Sequence, residues 1–363
     1  MSRTVESFMS RPFLSVLVDT FNHGQLLAQA IESVLSQDFP VADREILVVD
    51  DGSTDSTPTV LRRFERHIQV LKKPNGGQAS AFNLGIPECR GEWIAFLDGD
   101  DWWAAGKLKK ILNCILRDES VGTIGHGILE SFADGTQRRV APEKDERFQL
   151  DSVAAARVFR LRKSYLGTSR LALRAAVARK LLPVPEALVF EADEYLFPLA
   201  AAVAPVVILQ EPLTHYRVHP GNLYLGAGSD PAVLRRKMQV HEELVAALSR
   251  ELPRCGLAPE IVTCVTEIIA LEATQFRLIL DGGAPWETVR VENKVYEILH
   301  GDAPWSHRLF RSATMLPAFL LPPRWFYAAR RWVASQSWYG ELRKKILPKP
   351  GMTRVAGPEE FKA

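Results

Sequence analysis

Three aspartates lie within four residues at Asp98-Gly99-Asp100-Asp101, directly after the apolar run 93–97. Such a run is typical of a buried strand, and the carboxyl ends of strands are where open α/β sheets hold their ligands. Carboxylates this close repel one another unless a cation or hydrogen-bond donors compensate. A hard divalent cation that bridges phosphates takes one or two carboxylates and fills its shell with water and phosphate oxygen. The stretch predicts either such a cation site or a polar turn in which Asp101 caps the next helix.

A second group of acids, Glu191, Asp193 and Glu194, stands at the start of a predicted helix over 193–202. Clustered carboxylates raise one another's pKa, and this makes a carboxylate a better general base. The alternative is a set of acids that caps the helix and complements its positive N-terminal dipole.

The elements that must position these acids alternate between strand and helix. The predicted strands cover 13–18, 45–49, 68–71, 93–97, 122–129 and 205–209. The predicted helices cover 26–35, 60–64, 79–86, 152–160, 171–181 and 193–202. This alternation implies right-handed βαβ crossovers, and therefore an α/β fold with a mainly parallel central sheet flanked by helices. All the polar loops that follow the strands then lie along one edge of the sheet, which predicts a ligand site there.

The pattern changes twice after this α/β part. At Asp230-Pro231 it becomes almost wholly helical, and we expect helices over 234–248 and 261–280. After residue 302 it becomes basic and aromatic. We therefore expect a ligand-binding domain over 1–230, a C-terminal helical extension over 231–302 and a basic aromatic tail over 303–363.

The tail combines positive charge with aromatic side chains. From 305 to 349 nine Lys and Arg residues face one acid, Glu341, and nine aromatic residues lie between them. Such a segment suits an amphipathic helix lying on an anionic membrane surface, which we expect for 303–349. The alternative is a helix that packs on the α/β domain with its arginine stems along the protein.

Composition limits the remaining classes. The net charge of +2 on 363 residues gives no argument for a nucleic-acid partner, and none is expected. The four cysteines show no CxxC spacing, which argues against a zinc site and a disulfide framework and favours a reducing compartment. No apolar run reaches the length of a membrane span, and residues 1–12 show no signal-peptide core. We expect a cytoplasmic protein that lies peripherally on the inner face of the membrane.

Residues 13 to about 225 resemble the family-2 glycosyltransferases, which have the GT-A type fold. Five segments carry the resemblance in the family's order and at its usual spacing: 15–22 (SVLVDTFN), 30–37 (AIESVLSQ), 48–55 (VVDDGSTD), 75–83 (NGGQASAFN) and 91–101 (GEWIAFLDGDD). The resemblance implies an inverting enzyme that moves one sugar from a nucleotide-diphosphate sugar, preferably a UDP-sugar. The acceptor would be a hydroxyl of a glycan or lipid-linked molecule, in cell envelope polysaccharide biosynthesis.

The resemblance also implies which residues hold the nucleotide-sugar. Phe21, with the Thr20 backbone and Asn22 in the same loop, would border the base. Asp51 would accept a hydrogen bond from the base imide. These types suit a pyrimidine, whose ring stacks on an aromatic face and whose N–H prefers an anionic acceptor. Gln78 and Ser80 would contact the base or the diphosphate, and Asp98 would border the ribose.

The same resemblance assigns the cation and the base. Asp100 would bind a divalent cation, Mn²⁺ or Mg²⁺, held by the diphosphate. In the segment 215–219, Arg217 or His219 would pair with the diphosphate, and His219 would complete the metal shell. Asp193 would be the general base, with Glu194 and Glu191 as rivals, because the family often has Glu-Asp here and Ala192 leaves the register open.

One residue departs from the family's pattern: the family usually has Pro where Asp19 stands.

Three other functions compete with that of a glycosyltransferase. A nucleotidylyltransferase of the same fold would show a basic, Gly-rich loop after the first strand, which this chain lacks. A non-catalytic sugar-binding scaffold would be favoured if Asp100 or the acids at 191–194 were missing. A processive polysaccharide synthase would carry several membrane spans and a QxxRW-like segment, and neither is apparent.

Overall fold

Apolar stretches of the sequence form the strands of one mixed sheet. The computed structural model describes residues 13–219, 230–301, 303–334 and 336. Within them, contacts between Cα atoms divide the chain into two units, one of 13–219 with 247–262 and one of 230–246 with 263–336. The predicted boundaries at 230 and 302 stay predictions.

The sheet has ten strands in the described residues, in the order β3-β2-β1-β4-β9-β6-β10-β5, with β7 beside β6 and β8 beside β10. The strands are β1 (Leu14–Thr20), β2 (Arg44–Asp50), β3 (Gln69–Lys72), β4 (Trp93–Asp98), β5 (Trp102–Trp103), β6 (Thr123–Phe132), β7 (Gln137–Val140), β8 (Glu146–Phe148), β9 (Ala172–Arg174) and β10 (Val206–Val218).

Helices surround the sheet in the first unit and make up the second. The helices of the α/β part are α1 (Leu27–Leu35), α2 (Thr57–Arg63), α3 (Gln78–Glu88), α4 (Lys107–Arg117), α5 (Val153–Arg162), α6 (Ala175–Lys180) and α7 (Asp193–Val203). The later helices are α8 (Pro231–Arg254), α9 (Pro259–Leu280), α10 (Pro285–His300), α11 (Trp305–Met315) and α12 (Pro323–Ala334). The expected α/β class with a C-terminal helical region is confirmed.

The strands β3, β2, β1 and β4 are parallel, so their carboxyl ends share one edge. Side chains on both faces of β1 and β4 are buried, because helices cover the sheet on each side. In this register Asp19 lies opposite Asp98, and Thr20 opposite Asp50. The predicted ligand edge therefore exists and brings the loops after three strands side by side.

Beyond β4 the structure differs from the sequence expectation. The predicted helix over 171–181 begins as β9, which pairs antiparallel with both β4 and β6, and only Ala175–Lys180 is helical. Ala172 and Leu173 are fully buried in this pairing. Local spacing is typical of a helix here, but two neighbouring strand edges supply hydrogen bonds that override it. The strand predicted at 205–209 also continues to Val218, through irregular pairing near Pro212.

The second unit has a small core of its own. Leu278, Val291, Met315, Phe326 and Tyr327 are buried together, and each of α9 to α12 supplies at least one of them. In the described part of the chain, no helix combines the length and the apolar character that crossing a bilayer requires.

Candidate active site

Backbone hydrogen bonds hold the three loops at the carboxyl edge together. The Asp51 N–H donates to the Thr20 carbonyl (2.9 Å), and the Gly99 N–H donates to the Asp19 carbonyl (2.9 Å). Gly99 is needed at this approach, since a Cβ atom there would lie 2.6 Å from the Thr20 hydroxyl oxygen. The loops that carry Phe21, Asp51 and Asp100 are therefore neighbours.

Four carboxylates meet where β1 and β4 end. Asp98 is adjacent to Asp19, and Asp100 and Asp101 follow in the turn. Among the described residues, Asp19 Oδ1 and Asp101 Oδ2 are buried and have no hydrogen-bond partner. A buried acceptor without a donor is costly, so these two oxygens could accept a contact from a ligand or a cation.

Burial and mutual repulsion favour protonation at three of these acids. Burial, followed by the charge of Asp100, raises the pKa of Asp19 to about 8 and that of Asp101 to about 7. Burial, followed by the charge of Asp19, raises the pKa of Asp98 well above its usual range. These carboxylates ionise together only if positive charge is added between them.

Asp100 behaves differently because basic groups face it. Burial alone would raise its pKa, but the hydrogen bond from His219 and the charges of His23 and His219 outweigh burial and lower it. His219 Nε2 lies 3.0 Å from Asp100 Oδ2. The two predicted cation ligands thus lie together. In the described residues no three His, Cys, Asp or Glu side chains are grouped to hold a metal.

Arg217 lies against the same turn. Its backbone N–H donates to Asp101 Oδ1 (2.8 Å), and its Nε donates to the Asp100 carbonyl (2.8 Å). Its guanidinium lies over the Trp102 ring, 4.5 Å from the centroid, and Trp102 stacks on His215. The end of β10 therefore packs on the aspartate turn, and the predicted contacts of Arg217 and His219 with a diphosphate or a cation stay predictions.

A chain of hydrogen bonds joins Asp98 to the candidate base Asp193. The Gln78 side-chain amide donates to Asp98 Oδ1 (3.2 Å) and to the Thr168 hydroxyl (3.1 Å). The Thr168 N–H (2.8 Å) and hydroxyl (3.0 Å) both donate to Asp193 Oδ2. Gln78 also accepts from the Ala192 N–H (3.0 Å) and so fixes the start of α7. Both the nitrogen and the oxygen of the Gln78 amide are thus hydrogen-bonded to protein groups.

The two rival bases have other surroundings. Glu194 pairs with Lys163, whose Nζ lies 3.0 Å from the carboxylate. Glu191 adopts a left-handed backbone conformation with φ 59°, directly before the first residues of α7. Of the three acids, Asp193 is the one whose charge raises the pKa of both Asp19 and Asp98.

Asp51 holds a loop that lies about 25 residues further along the chain. Its carboxylate accepts from the N–H groups of Gly76 (3.0 Å) and Gly77 (2.7 Å), from the Asn75 amide (3.2 Å) and from Lys73. These four donors match the acceptor capacity of a carboxylate. A base imide would therefore have to replace one of them, and the long Lys73 side chain is the donor that can move most easily.

The remaining predicted donor residues differ in exposure. Phe21 is 42% exposed, which leaves a ring face available for stacking. Thr20 and Ser80 are buried, and the Ser80 hydroxyl donates to the Gly77 carbonyl (3.2 Å) at the start of α3. The Asn22 side-chain oxygen accepts from the Thr54 N–H (2.8 Å), so this residue connects two loops.

Sequence reasoning missed the 168–170 turn, which supports both ends of the site. The Ser169 hydroxyl accepts from the Asp98 N–H (3.0 Å) and donates to Asp98 Oδ2 (3.0 Å). Buried Lys107 donates to the Ser169 carbonyl (2.8 Å) and to the Thr214 hydroxyl (3.1 Å), and burial lowers the pKa of its amine well below the usual range. The only local signal was two hydroxyl residues ahead of an apolar run.

Comparison with known proteins gives the family. The model of glycosyl transferase family 2 matches residues 15–176. An uncharacterised glycosyltransferase of Nostoc sp. is 31% identical over 238 residues, which cover 64% of this chain and 72% of that protein. One from Rickettsia typhi is 26% identical, over 57% of this chain and 64% of that protein.

Solved structures agree in fold. The crystal structure of S. aureus TarS in complex with UDP-GlcNAc superimposes with a TM-score of 0.52 and 18% identity. The match covers 73% of this chain and 72% of that one. At this identity the likeness concerns the fold alone.

Proposed function

Since the chain belongs to glycosyl transferase family 2, we propose that it is an inverting enzyme that moves one sugar from a nucleotide-diphosphate sugar to a hydroxyl of a glycan or lipid-linked acceptor. One observation carries the proposal: Asp98, Asp100 and Asp193 belong to one connected group of hydrogen bonds and charges at the carboxyl edge. A one-step displacement needs a base on the acceptor and support for the departing diphosphate, but no enzyme nucleophile.

A divalent cation fits the donor-side acids. Mn²⁺ and Mg²⁺ prefer carboxylate oxygen, and the partnerless oxygens of Asp19 and Asp101 lie in the cluster that contains Asp100. We assign Asp100 as the carboxylate ligand and His219 as a second ligand. The cation would neutralise charge on the diphosphate as the glycosidic bond breaks.

We assign the base role to Asp193. The Thr168 N–H and hydroxyl donate to one of its oxygens. These bonds orient the carboxylate without a positively charged partner. Glu194 is partly neutralised by Lys163, which makes it a weaker candidate, and Glu191 is the third. Asp193 would take the proton of the acceptor hydroxyl as the hydroxyl oxygen attacks the anomeric carbon from the side opposite the diphosphate.

The nucleotide would lie across the loops after β1 and β2. The exposed ring of Phe21, beside Thr20 and Asn22, would stack on the base, and Asp51 would accept from its imide in place of Lys73. This preference for an imide leads us to propose UDP as the carrier. Gln78 and Ser80 would contact the base or the diphosphate, and Asp98 would border the ribose. Arg217 would pair with the diphosphate.

The acceptor side completes the proposal. We place the reaction in cell envelope polysaccharide synthesis, on the cytoplasmic side. Peripheral contact with an anionic membrane through 303–349 would bring the enzyme to a lipid-linked acceptor.

Calorimetric titration with UDP tests the donor side. We expect UDP to bind in Mn²⁺ and to bind at least about tenfold more weakly in EDTA, because the cation joins the diphosphate to Asp100. Asp100→Asn should remove the Mn²⁺ dependence. Asp118→Asn is the matched control, because Asp118 pairs with Arg147 and not with the edge acids, and this variant should bind like the wild type.

Two results would count against this proposal. If UDP bound equally well with and without Mn²⁺, the cation role of Asp100 would be wrong. If no uridine, guanosine or thymidine diphosphate bound under any condition, the donor assignment itself would fail.

A further inference from the structure

Large apolar side chains lie exposed along α11, α12 and the short 3-10 segment between them (Leu316–Phe319). Seven of them, between 59% and 83% exposed, form what we call the aromatic surface: Trp305, Leu309, Leu316, Phe319, Leu320, Trp325 and Trp332. Soluble proteins rarely expose so many large apolar groups within about thirty residues unless a partner covers them.

The exposed residues of α11 follow one helical stripe. The apolar residues Trp305, Leu309 and Ala313 are spaced by four residues, so they lie on one face of α11, and exposed Leu316 follows in the 3-10 segment. Met315 of the same helix lies off this stripe and is buried in the core of the second unit. This helix therefore has apolar groups on both its inner and its outer face.

The same arrangement recurs on α12. Trp325, Ala328, Ala329 and Trp332 are exposed and share one face. Phe326 and Tyr327 point the other way and are 3% and 6% exposed in the core of the second unit. Because the inner residues already complete that core, the outer tryptophans are not needed to fold the unit.

The charged residues within the segment that carries the aromatic surface have one sign. From 303 to 336 the chain contains five arginines and no aspartate or glutamate. Arg311 and Arg330 pair with the buried Glu292. The other described ion pairs do not involve Arg308 or Arg324, which donate to backbone carbonyls.

We infer that the aromatic surface docks into the headgroup region of an anionic lipid bilayer. Tryptophan and leucine on one face, flanked by arginine and without acids, suit the boundary between acyl chains and lipid phosphates. The stems of Arg308 and Arg324 can follow the apolar surface while their charged ends reach phosphate. This inference deepens the proposed function at the membrane, but lipid binding needs neither donor nor cation.

Vesicle flotation of the full chain tests the inference. Wild-type protein should float with vesicles of phosphatidylcholine mixed with phosphatidylglycerol, and less with pure phosphatidylcholine. The double variant Trp325→Ala/Trp332→Ala should lose roughly tenfold or more of its partition into anionic vesicles, since it lacks two aromatic groups that would be buried in the bilayer. Trp286→Ala is the matched control: Trp286 is 62% exposed, but it lies on α10, outside the aromatic surface.

The outcomes separate lipid binding from its rivals. Equal flotation of the double variant and the wild type, or an equal loss in Trp286→Ala, would overturn the inference. The inference would also be overturned if the wild-type protein did not bind vesicles but sedimented as a dimer, and the double variant sedimented as a monomer. Loss of flotation with unchanged UDP titration would support lipid docking, and failed UDP binding with normal flotation would affect the proposed function alone.

Discussion

The carboxyl edge of the sheet and the aromatic surface depart from ordinary burial in opposite directions. At the edge, acids such as Asp51 and Asp101 are buried, although charged groups normally lie in water. On α11 and α12, tryptophans are exposed, although large aromatic groups normally lie inside. In each case the unusual surroundings lead us to propose a partner, a cation with a diphosphate at the edge and a lipid surface at α11 and α12.

The two regions also differ in how their residues depend on one another. Gln78, Thr168 and Ser169 connect the edge acids, so removing one partner leaves another buried group unsatisfied. The side chains of the aromatic surface are mostly exposed, so each should contribute nearly independently. Substitutions at the edge should therefore affect chemistry or stability strongly, whereas those on the aromatic surface should spare both.

The largest effect should come from Asp193→Asn. Asparagine keeps an oxygen that can accept from Thr168, but it cannot take the proton of the acceptor hydroxyl. The rate of sugar transfer should therefore fall by a factor of about 10²–10⁴. UDP affinity should stay unchanged. Turnover with the donor selected by a nucleotide-sugar thermal-shift panel measures this. If Asp193→Asn were fully active and Glu194→Gln inactive, the general base would be Glu194 and not Asp193.

Adjacent aromatics on α12 should separate core from surface. Phe326→Ala should lower the free energy of unfolding by about 3–5 kcal/mol, because the ring is buried in the core of the second unit. Trp325→Ala should change it by less than about 0.5 kcal/mol. Urea denaturation of both variants measures the difference. Similar losses would mean that Trp325 is part of the core and would weaken the case for a docking surface.

A smaller loss of stability should follow from Ser169→Ala. The change leaves the Asp98 N–H and one buried carboxylate oxygen without this hydroxyl, at a cost of about 1–3 kcal/mol in unfolding free energy. Ser312→Ala on α11, where the exposed hydroxyl only donates to the Arg308 carbonyl, should cost less than about 0.5 kcal/mol. If both serines were equally dispensable by urea denaturation, the edge would not depend on its buried hydrogen bonds.

The smallest effect expected at the edge is that of Thr168→Val. Valine keeps the N–H that bonds Asp193 but removes the hydroxyl, so turnover should fall roughly tenfold while UDP affinity holds. Thr168→Ser should restore turnover. An equal loss of UDP affinity and turnover would mean that Thr168 supports the fold rather than the orientation of the base.

Much of the fold follows from local patterns in the sequence. The apolar runs before Asp19, Asp51 and Asp98 predict three parallel strands whose polar ends share an edge, and the structure has these strands. The helix predicted over 171–181 was wrong at its start, because Ala172 and Leu173 are drawn into β9 by pairing with two other strands. Strand pairing depends on distant partners, which local spacing cannot reveal.

The sequence by itself determined which groups can do chemistry here, since carboxylates, an exposed aromatic residue and a basic aromatic tail are visible in its motifs and composition. Only the tertiary structure decided which of them meet. Gln78 and Thr168 lie 90 residues apart, and their hydrogen bond joins Asp98 to Asp193. The physical reason is that burial and hydrogen bonding depend on neighbours brought together by folding, whereas side-chain type is set residue by residue.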